Sequence, residues 1–316
     1  GRNVRLTWNP IINPKSEDLT MKYFVTTALA GLLATSVVAD DWKQDYQVIK
    51  FGILSGENEK DRIARYTPFE EYLERELGVE VEIFTAGAYD GVIQALGADQ
   101  IEFAFLGSSS YAAAYTATDG GVVPLVSRLQ NDGSTGYYSV VVTRCDSGLN
   151  DLASLEGKVL AFADPDSTSG YAVPYFNIAK EVDPKTYFSA IPFSGSHEAG
   201  VAGVVQGTFD AAATYMTNET SGVIARMVEK GMIAEGEACP IWESPEITSG
   251  PLTARSNLPQ GLIEAMRTAV MEVPEKDPAA FKEMSGGETS TQKGWIGVDK
   301  ERYQWIVDMR DWLKKQ

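Results

Sequence analysis

Short apolar runs bounded by turn residues recur along the chain at residues 48–54, 79–84, 101–106 and 122–128, the pattern of strands buried on both faces. Between them the period changes. Phe69, Tyr72, Leu73 and Leu77 fall at helical spacing between Pro68, near the predicted helix start, and Gly78, at its end. Asp90 precedes a helix carrying Val92, Ile93 and Leu96, and Gly107-Ser108-Ser109-Ser110 opens another that runs to about Thr116. Strand and helix alternating through short connections predict an α/β fold with a parallel sheet covered on both faces. Ligand loops of such sheets lie beyond the carboxyl ends of the strands, here at Ser55, Tyr89 and the serines 108–110.

Residues 130–136, Gln-Asn-Asp-Gly-Ser-Thr-Gly, form the richest turn sequence, and a β-rich run follows at 137–142. The alternation then restarts, with a short helix at 152–155, a strand at 159–162 and a helix at 169–181 interrupted by Pro174. A strand at 190–193, a helix at 198–206, a strand at 211–215 and a helix at 218–230 follow. A strand-like patch at 240–242 and the turn Ser249-Gly250-Pro251 read as a return crossing. Helices at 260–273, 278–284 and about 300–315 would pack back on the first half, with Trp305, Met309 and Trp312 as a core stripe. Two crossings imply two lobes joined by a hinge, residues 46–130 with 250–316 and residues 131–249, and a cleft in which closure buries a small ligand.

The amino-terminal part stands apart. Met21-Lys22, an apolar run at 23–38, and Val37 and Ala39 at the minus-three and minus-one positions predict a signal peptide over 21–39 with cleavage after Ala39. Residues 1–20 read as an upstream or expression-derived segment. The apolar run is short for a membrane span and no second one of about 20 residues follows, so a soluble periplasmic protein is expected. The absence of cysteine at the cleavage point argues against a lipid anchor.

The net charge is −17, from 27 basic and 44 acidic residues, and removing the four basic and two acidic groups of residues 1–39 leaves −19. Such a surface disfavours nucleic acid and anionic membrane. It does not exclude an anionic ligand, because a dry cleft lined by N–H and hydroxyl groups can overcome a distant, screened field. Cys145 and Cys239 are too far apart for a CxxC pair. In an oxidising compartment they are either one structural disulfide or two separate buried thiols.

Catalytic chemistry is scarce. His197 is the one histidine, the cysteines lack metal-ligand spacing, and no GxSxG elbow, Walker loop or opening GxGxxG occurs. A hydrolase would need its base from His197, which the adjacent Glu198 cannot orient, since neighbouring helical side chains diverge. No enzyme, cofactor or metal is expected. The stretch Asp164-Pro165-Asp166-Ser167-Thr168-Ser169-Gly170-Tyr171 instead puts three consecutive hydroxyls at a turn between a strand and a helix. It reads either as an anion cradle of hydroxyls and free helix-start N–H groups or as a plain helix cap. His197, at another helix start after Gly195 and Ser196, reads as a donor to an anion, whose charge would favour the protonated imidazole, or as a surface cap. Tyr89, Tyr137 and Tyr138 add phenolic donors near the cleft mouth.

Residues 48–284 resemble the periplasmic solute-binding proteins of ABC importers for phosphonate, phosphite and related phosphorus oxyanions. The resemblance rests on Phe51-Gly52-Ile53 with Tyr66-Thr67-Pro68-Phe69, Ala88-Tyr89-Asp90-Gly91, Asp132 to Tyr137, Asp164 to Gly170, Gly195-Ser196-His197-Glu198 and Ser244-Pro245, in that order. It implies a two-lobed type II, venus-flytrap fold with two crossovers, acting as a monomer with an ABC permease as partner. It further implies that Ser167, Thr168 and Ser169 hold the phosphoryl oxygens, that Tyr89 and Tyr137 donate from the opposite lobe and the crossover, that His197 completes the shell and that Gly107 and Ser108 line the first lobe. Where aminoethylphosphonate-binding members carry acidic groups, this chain has Thr217 and Gly250, with Glu219 as a replacement acid. A small oxyanion such as phosphite, phosphate or methylphosphonate is therefore expected. The alternatives are an aminoethylphosphonate receptor, a stand-alone nutrient sensor and an enzyme on the same fold.

Overall fold

The computed structural model describes residues 42–316. The expected signal peptide at 21–39 and the segment at 1–20 lie outside the described residues. Among these, the strands in chain order are β1 (Val48–Ile53), β2 (Glu80–Thr85), β3 (Phe103–Phe105) and β4 (Val122–Gln130), then β5 (Gly136–Arg144), β6 (Leu160–Ala161), β7 (Ala211–Asn218), β8 (Ser221–Gly222), β9 (Ala238–Glu243) and β10 (Ile247–Thr248), and finally β11 (Pro251–Arg255) and β12 (Gln292–Gly297). They form two sheets. One has the order β12-β4-β11-β3-β1-β2. The other has the order β10-β5-β7-β6, with β8 on β7 and β9 on β5. The chain passes between the sheets twice, from β4 to β5 and from β10 to β11.

The expectation of parallel sheets holds only in part. β1 pairs in parallel with β2 and β3, but β11, returning from the second lobe, enters between β3 and β4 and runs against both, and β12 runs against β4. In the second sheet β6 is parallel to β7, while β5 runs against β7, β9 and β10. The strand expected at 190–193 is reduced to single bridges at Ala190 and Phe193, because Pro192 has no N–H to give a ladder.

The helices are α1 (Glu59–Leu77), α2 (Tyr89–Gly97), α3 (Ser108–Ala117), α4 (Val173–Ile178), α5 (Pro184–Tyr187), α6 (His197–Val205), α7 (Val223–Glu229), α8 (Gln260–Lys276), α9 (Pro278–Ser285) and α10 (Gln304–Leu313). α1 begins well before Pro68. Asn58 caps it by accepting from the Asp61 N–H, and burial of Tyr66, Phe69, Tyr72, Leu73 and Leu77 outweighs the interior proline. The helix expected from residue 218 is delayed: Asn218 accepts from the Thr220 N–H at 3.0 Å, and the chain makes the β7–β8 hairpin before α7 starts.

Each sheet separates two apolar clusters. Phe51, Phe69, Phe103, Leu262 and Met266 lie in one and Val92, Leu96, Tyr111 and Ile306 in the other for the first lobe; the second has Val140, Val201 and Met227, and Leu155, Phe162 and Ile178. α10 corrects an expectation. Trp305 and Met309 pack on the first lobe, but Trp312 packs on the second, edge-on to Phe176 at 5.0 Å, and Leu313 touches the clusters of both. Cys145 and Cys239 are joined in a disulfide that ties the end of β5 to β9, with Cα atoms 5.1 Å apart.

Candidate functional site

Between the lobes lies a cavity of about 230 Å³ whose wall includes Ser167, Thr168 and Ser169 from one side and Tyr89 and Gly107 from the other. The hydroxyl triplet starts not an ordinary helix but a π-turn, Thr168–Ala172, that runs into α4. Pro174 accounts for this locally: without an N–H it cannot bond the Gly170 carbonyl, which accepts instead from Ala163 at 2.9 Å. Ser167 caps the turn by accepting from the Gly170 N–H at 2.9 Å, and its hydroxyl proton stays available to donate. Gly170 has no room for a side chain, since a Cβ there would sit 2.5 Å from the Ala163 Cβ and 2.7 Å from the Ser167 Oγ.

The other wall comes close enough to touch the triplet. The Ser109 N–H donates to the Thr168 hydroxyl at 2.8 Å, and the Tyr89 N–H donates to Asp164 at 3.1 Å. The Tyr89 phenol faces the Ser167 hydroxyl, and the Tyr137 phenol faces those of Thr168 and Ser169. Burial pushes both phenols up, so they remain protonated donors at neutral pH. His197 is 5% exposed, and burial pulls its imidazole down to about 4, leaving it neutral in this structure. Its Nδ1 lies 3.0 Å from the Thr214 hydroxyl and its Nε2 3.4 Å from that of Ser167, and Tyr215 packs against the ring. The side chain is therefore buried between Thr214, Ser167 and Tyr215, not capping the surface, and its neutral ring holds one donor and one acceptor.

Two charged clusters join the lobes at the cleft edges. Glu57 and Asp61 of the first lobe meet Arg226 and Lys230 of the second: Glu57 pairs with Arg65 at 2.6 Å and with Arg226, and Lys230 reaches Asp61 and Glu198 at 2.6 Å each. Burial pushes the Glu57 carboxyl up, but the Arg65 and Arg226 guanidiniums outweigh it and hold the group below the usual carboxylate range. At the other edge Arg310 of α10 donates to Ser109 and Asp166, at 2.8 Å each.

Of the residues singled out in the sequence, Tyr89, Gly107, Tyr137, Ser167, Thr168, Ser169, His197 and Thr217 lie on the cavity wall. Others do not. Ser108 is buried behind the wall, its hydroxyl bonded to the Thr248 carbonyl at 2.5 Å. Tyr138 faces Glu246 at 3.4 Å away from the cavity, Ser55 lines a separate groove near Arg62, and Glu219 is exposed at the tip of the β7–β8 hairpin. Gly250 lies on the wall but has no room for a larger residue, since a Cβ there would sit 2.0 Å from the Leu106 carbonyl oxygen. Arg65, Arg128, Gln130, Tyr215 and Arg226 also line the cavity. Sequence reasoning passed over them, although Arg128 and Tyr215 stand where predicted strands end. Among the described residues no cluster of His, Cys, Asp and Glu is arranged to hold a metal ion, and no helix is long and apolar enough to cross a membrane.

Two α/β lobes, two crossings and a donor-lined cleft between them define a periplasmic solute-binding protein. Residues 51–303 match the family described as ABC transporter, phosphonate, periplasmic substrate-binding protein. The chain is 32% identical to the phosphonates-binding periplasmic protein of Escherichia coli strain K12, over 89% of this chain and 90% of that protein. It is 27% identical to the phosphate-import protein PhnD of Mycolicibacterium smegmatis, over 78% and 80% of the two chains. The solved structure of PhnD1 from Prochlorococcus marinus (MIT 9301) in complex with methylphosphonate has the same fold, with a TM-score of 0.73 at 21% identity over 85% of this chain and 99% of that one. The chain therefore belongs to the family of periplasmic substrate-binding proteins of phosphonate ABC transporters. Members of this family bind and deliver, and do not catalyse.

Proposed function

We propose that this chain captures a small phosphorus oxyanion, such as phosphite, phosphate or an alkylphosphonate, and presents it as a monomer to an ABC permease. The observation that carries this reading is the convergence of neutral donors, with the hydroxyls of Ser167, Thr168 and Ser169, the phenols of Tyr89 and Tyr137 and the buried His197 around one cavity end. Hydrogen bonds to an ionised oxygen are roughly twice as strong as neutral ones, so this set selects an oxyanion. The methylphosphonate complex of PhnD1 and the printed roles of the two curated relatives favour the same ligand class.

Closure is the working step. The ligand first meets the hydroxyl turn on the second lobe, and rotation about the two crossings brings Tyr89 against it and the Ser109 N–H onto the Thr168 hydroxyl. His197 sets the protonation preference. If Thr214 donates to Nδ1, Nε2–H faces the ligand as a donor; if Nδ1–H donates to Thr214, Nε2 accepts from a protonated phosphoryl oxygen.

Aminoethylphosphonate is disfavoured. Thr217 carries no charge, Gly250 has no room for a side chain and Glu219 faces solvent, so a desolvated ammonium would lack a free carboxylate. Calorimetry with phosphite, phosphate, methylphosphonate and aminoethylphosphonate tests the reading. Binding of at least one of the first three, ahead of aminoethylphosphonate, is expected. Tightest binding of aminoethylphosphonate would refute the specificity, and binding of none of the four the function.

A further inference from the structure

The cavity is larger than a phosphoryl group needs, and its wall carries a second chemistry. Besides the hydroxyl triplet and the tyrosines, it is lined by Arg65, Arg128, Gln130, Phe105, Thr289 and Ser290. The charges there are unequally committed. Arg65 and Arg226 are held by Glu57, and Glu198 is held by Lys230 and by the Asn58 N–H at 3.4 Å. Arg128, near the carboxyl end of β4, is paired through its backbone with β12, but its side chain has no hydrogen bond and no ion pair among the described residues. It is half-buried and acts electrostatically on the Tyr137 phenol, which places it beside the cradle. Beside it in sequence, Gln130 uses its carbonyl to accept from the Thr291 hydroxyl at 3.0 Å, which leaves its NH₂ as a donor.

A guanidinium on the wall of a confined cleft, with no protein counter-charge, presents a planar fork that matches a carboxylate. Both carboxylates on the wall are already paired with cations, so the wall has nothing to offer an ammonium. We propose that the preferred ligand is a phosphonate whose organic substituent carries a second anionic group, a carboxylate, and that Arg128 is the residue that recognises it. This inference rests on the phosphorus-oxyanion reading of the cleft. It also reconciles a ligand of higher charge with an acidic protein, because an unpaired cation a few ångströms away outweighs surface charge beyond a Debye length of about 8 Å.

The test compares phosphonoacetate and 3-phosphonopropionate with methylphosphonate by calorimetry, on the wild type and on Arg128→Gln and Arg128→Lys. One of the two carboxylated probes is expected to bind at least tenfold more tightly than methylphosphonate. Arg128→Gln should erase that preference by costing the carboxylated probe at least tenfold more affinity than it costs methylphosphonate, and Arg128→Lys should keep part of it by retaining charge without the fork. Equal wild-type affinities for all three overturn the inference but leave the oxyanion reading standing. A parallel loss of all three in Arg128→Gln, with an unchanged melting temperature, also overturns it, since Arg128 would then serve the phosphoryl group itself. Binding of no phosphorus compound removes the reading and this inference together.

Discussion

The Ser109 N–H donates to the Thr168 hydroxyl at 2.8 Å, linking the start of α3 in the first lobe to the hydroxyl turn in the second. On the proposed reading, one residue thereby serves both ligand capture and lobe contact. Because the Thr168 oxygen accepts from Ser109, its own proton is directed elsewhere, and the cavity is where it can go. Thr168→Val keeps the shape and removes donor and acceptor together. We expect phosphonate affinity to fall by about 1–3 kcal/mol, roughly 5- to 150-fold, with some loss of melting temperature because the Ser109 N–H is left without its acceptor. Unchanged affinity by calorimetry would remove Thr168 from the cradle.

Gly170 tests the shape of the turn without removing a donor group. A Cβ there meets Ala163 at 2.5 Å, Ser167 at 2.7 Å and His197 at 3.1 Å, so Gly170→Ala has to displace the capping serine. A loss of binding larger than that of Thr168→Val is expected, with destabilisation of about 1–3 kcal/mol from overpacking. A variant that melts and binds like the wild type would mean that the turn can accommodate a side chain at this position.

His197 makes stability depend on pH in a stated direction. Its pKa is near 6.5 in the unfolded chain and about 4 in the fold. Above pH 6.5 both states are neutral and nothing is lost. As pH falls from 6.5 the unfolded chain takes up the proton first, and the penalty grows until about pH 4, reaching on the order of 3 kcal/mol. His197→Gln should flatten the fall in melting temperature over that window; an identical pH profile in the variant would count against a buried neutral ring. A bound monoanion, the form such oxyanions take near pH 5, raises the imidazole pKa again, so binding there should be accompanied by proton uptake, measurable as a buffer-dependent calorimetric enthalpy.

Lys230 bridges the lobes by contacting Asp61 and Glu198 at 2.6 Å each, and it is partly solvated. Lys230→Met should weaken ligand binding by about 1 kcal/mol, near fivefold, by disfavouring the joined arrangement. Added salt should lower wild-type affinity more than that of the variant. Equal salt slopes would show that the pair adds nothing to closure.

What could be read from the sequence follows from how local the determinants are. β1 to β4 announce themselves as compact apolar runs between turn residues, and the hydroxyl turn on the cavity wall is legible because Ser167, Thr168 and Ser169 are contiguous and sit after a strand. β12 escapes notice because Lys293 and two glycines break its pattern at the sheet edge, where only one neighbour fixes it. The Glu57–Arg226 pair joins residues 169 apart and exists only once the lobes meet, so no window of sequence contains it. Arg128 looked like the last polar residue of a strand. Its meaning depends on which carboxylates across the cavity are already taken. Gly250 shows the reverse case: read as a lost acid, it is a glycine because the Leu106 carbonyl leaves no space for anything else.

α10 lies across both lobes, with Arg310 fastened to Ser109 and Asp166 and Trp312 on Phe176. It follows β12 in the chain, so a polypeptide threaded amino-terminus first through a membrane delivers every strand of both sheets before this helix emerges. Every strand of both lobes is thus available before the fastening, and a chain still in transit lacks the element that holds the two walls of the cleft in register.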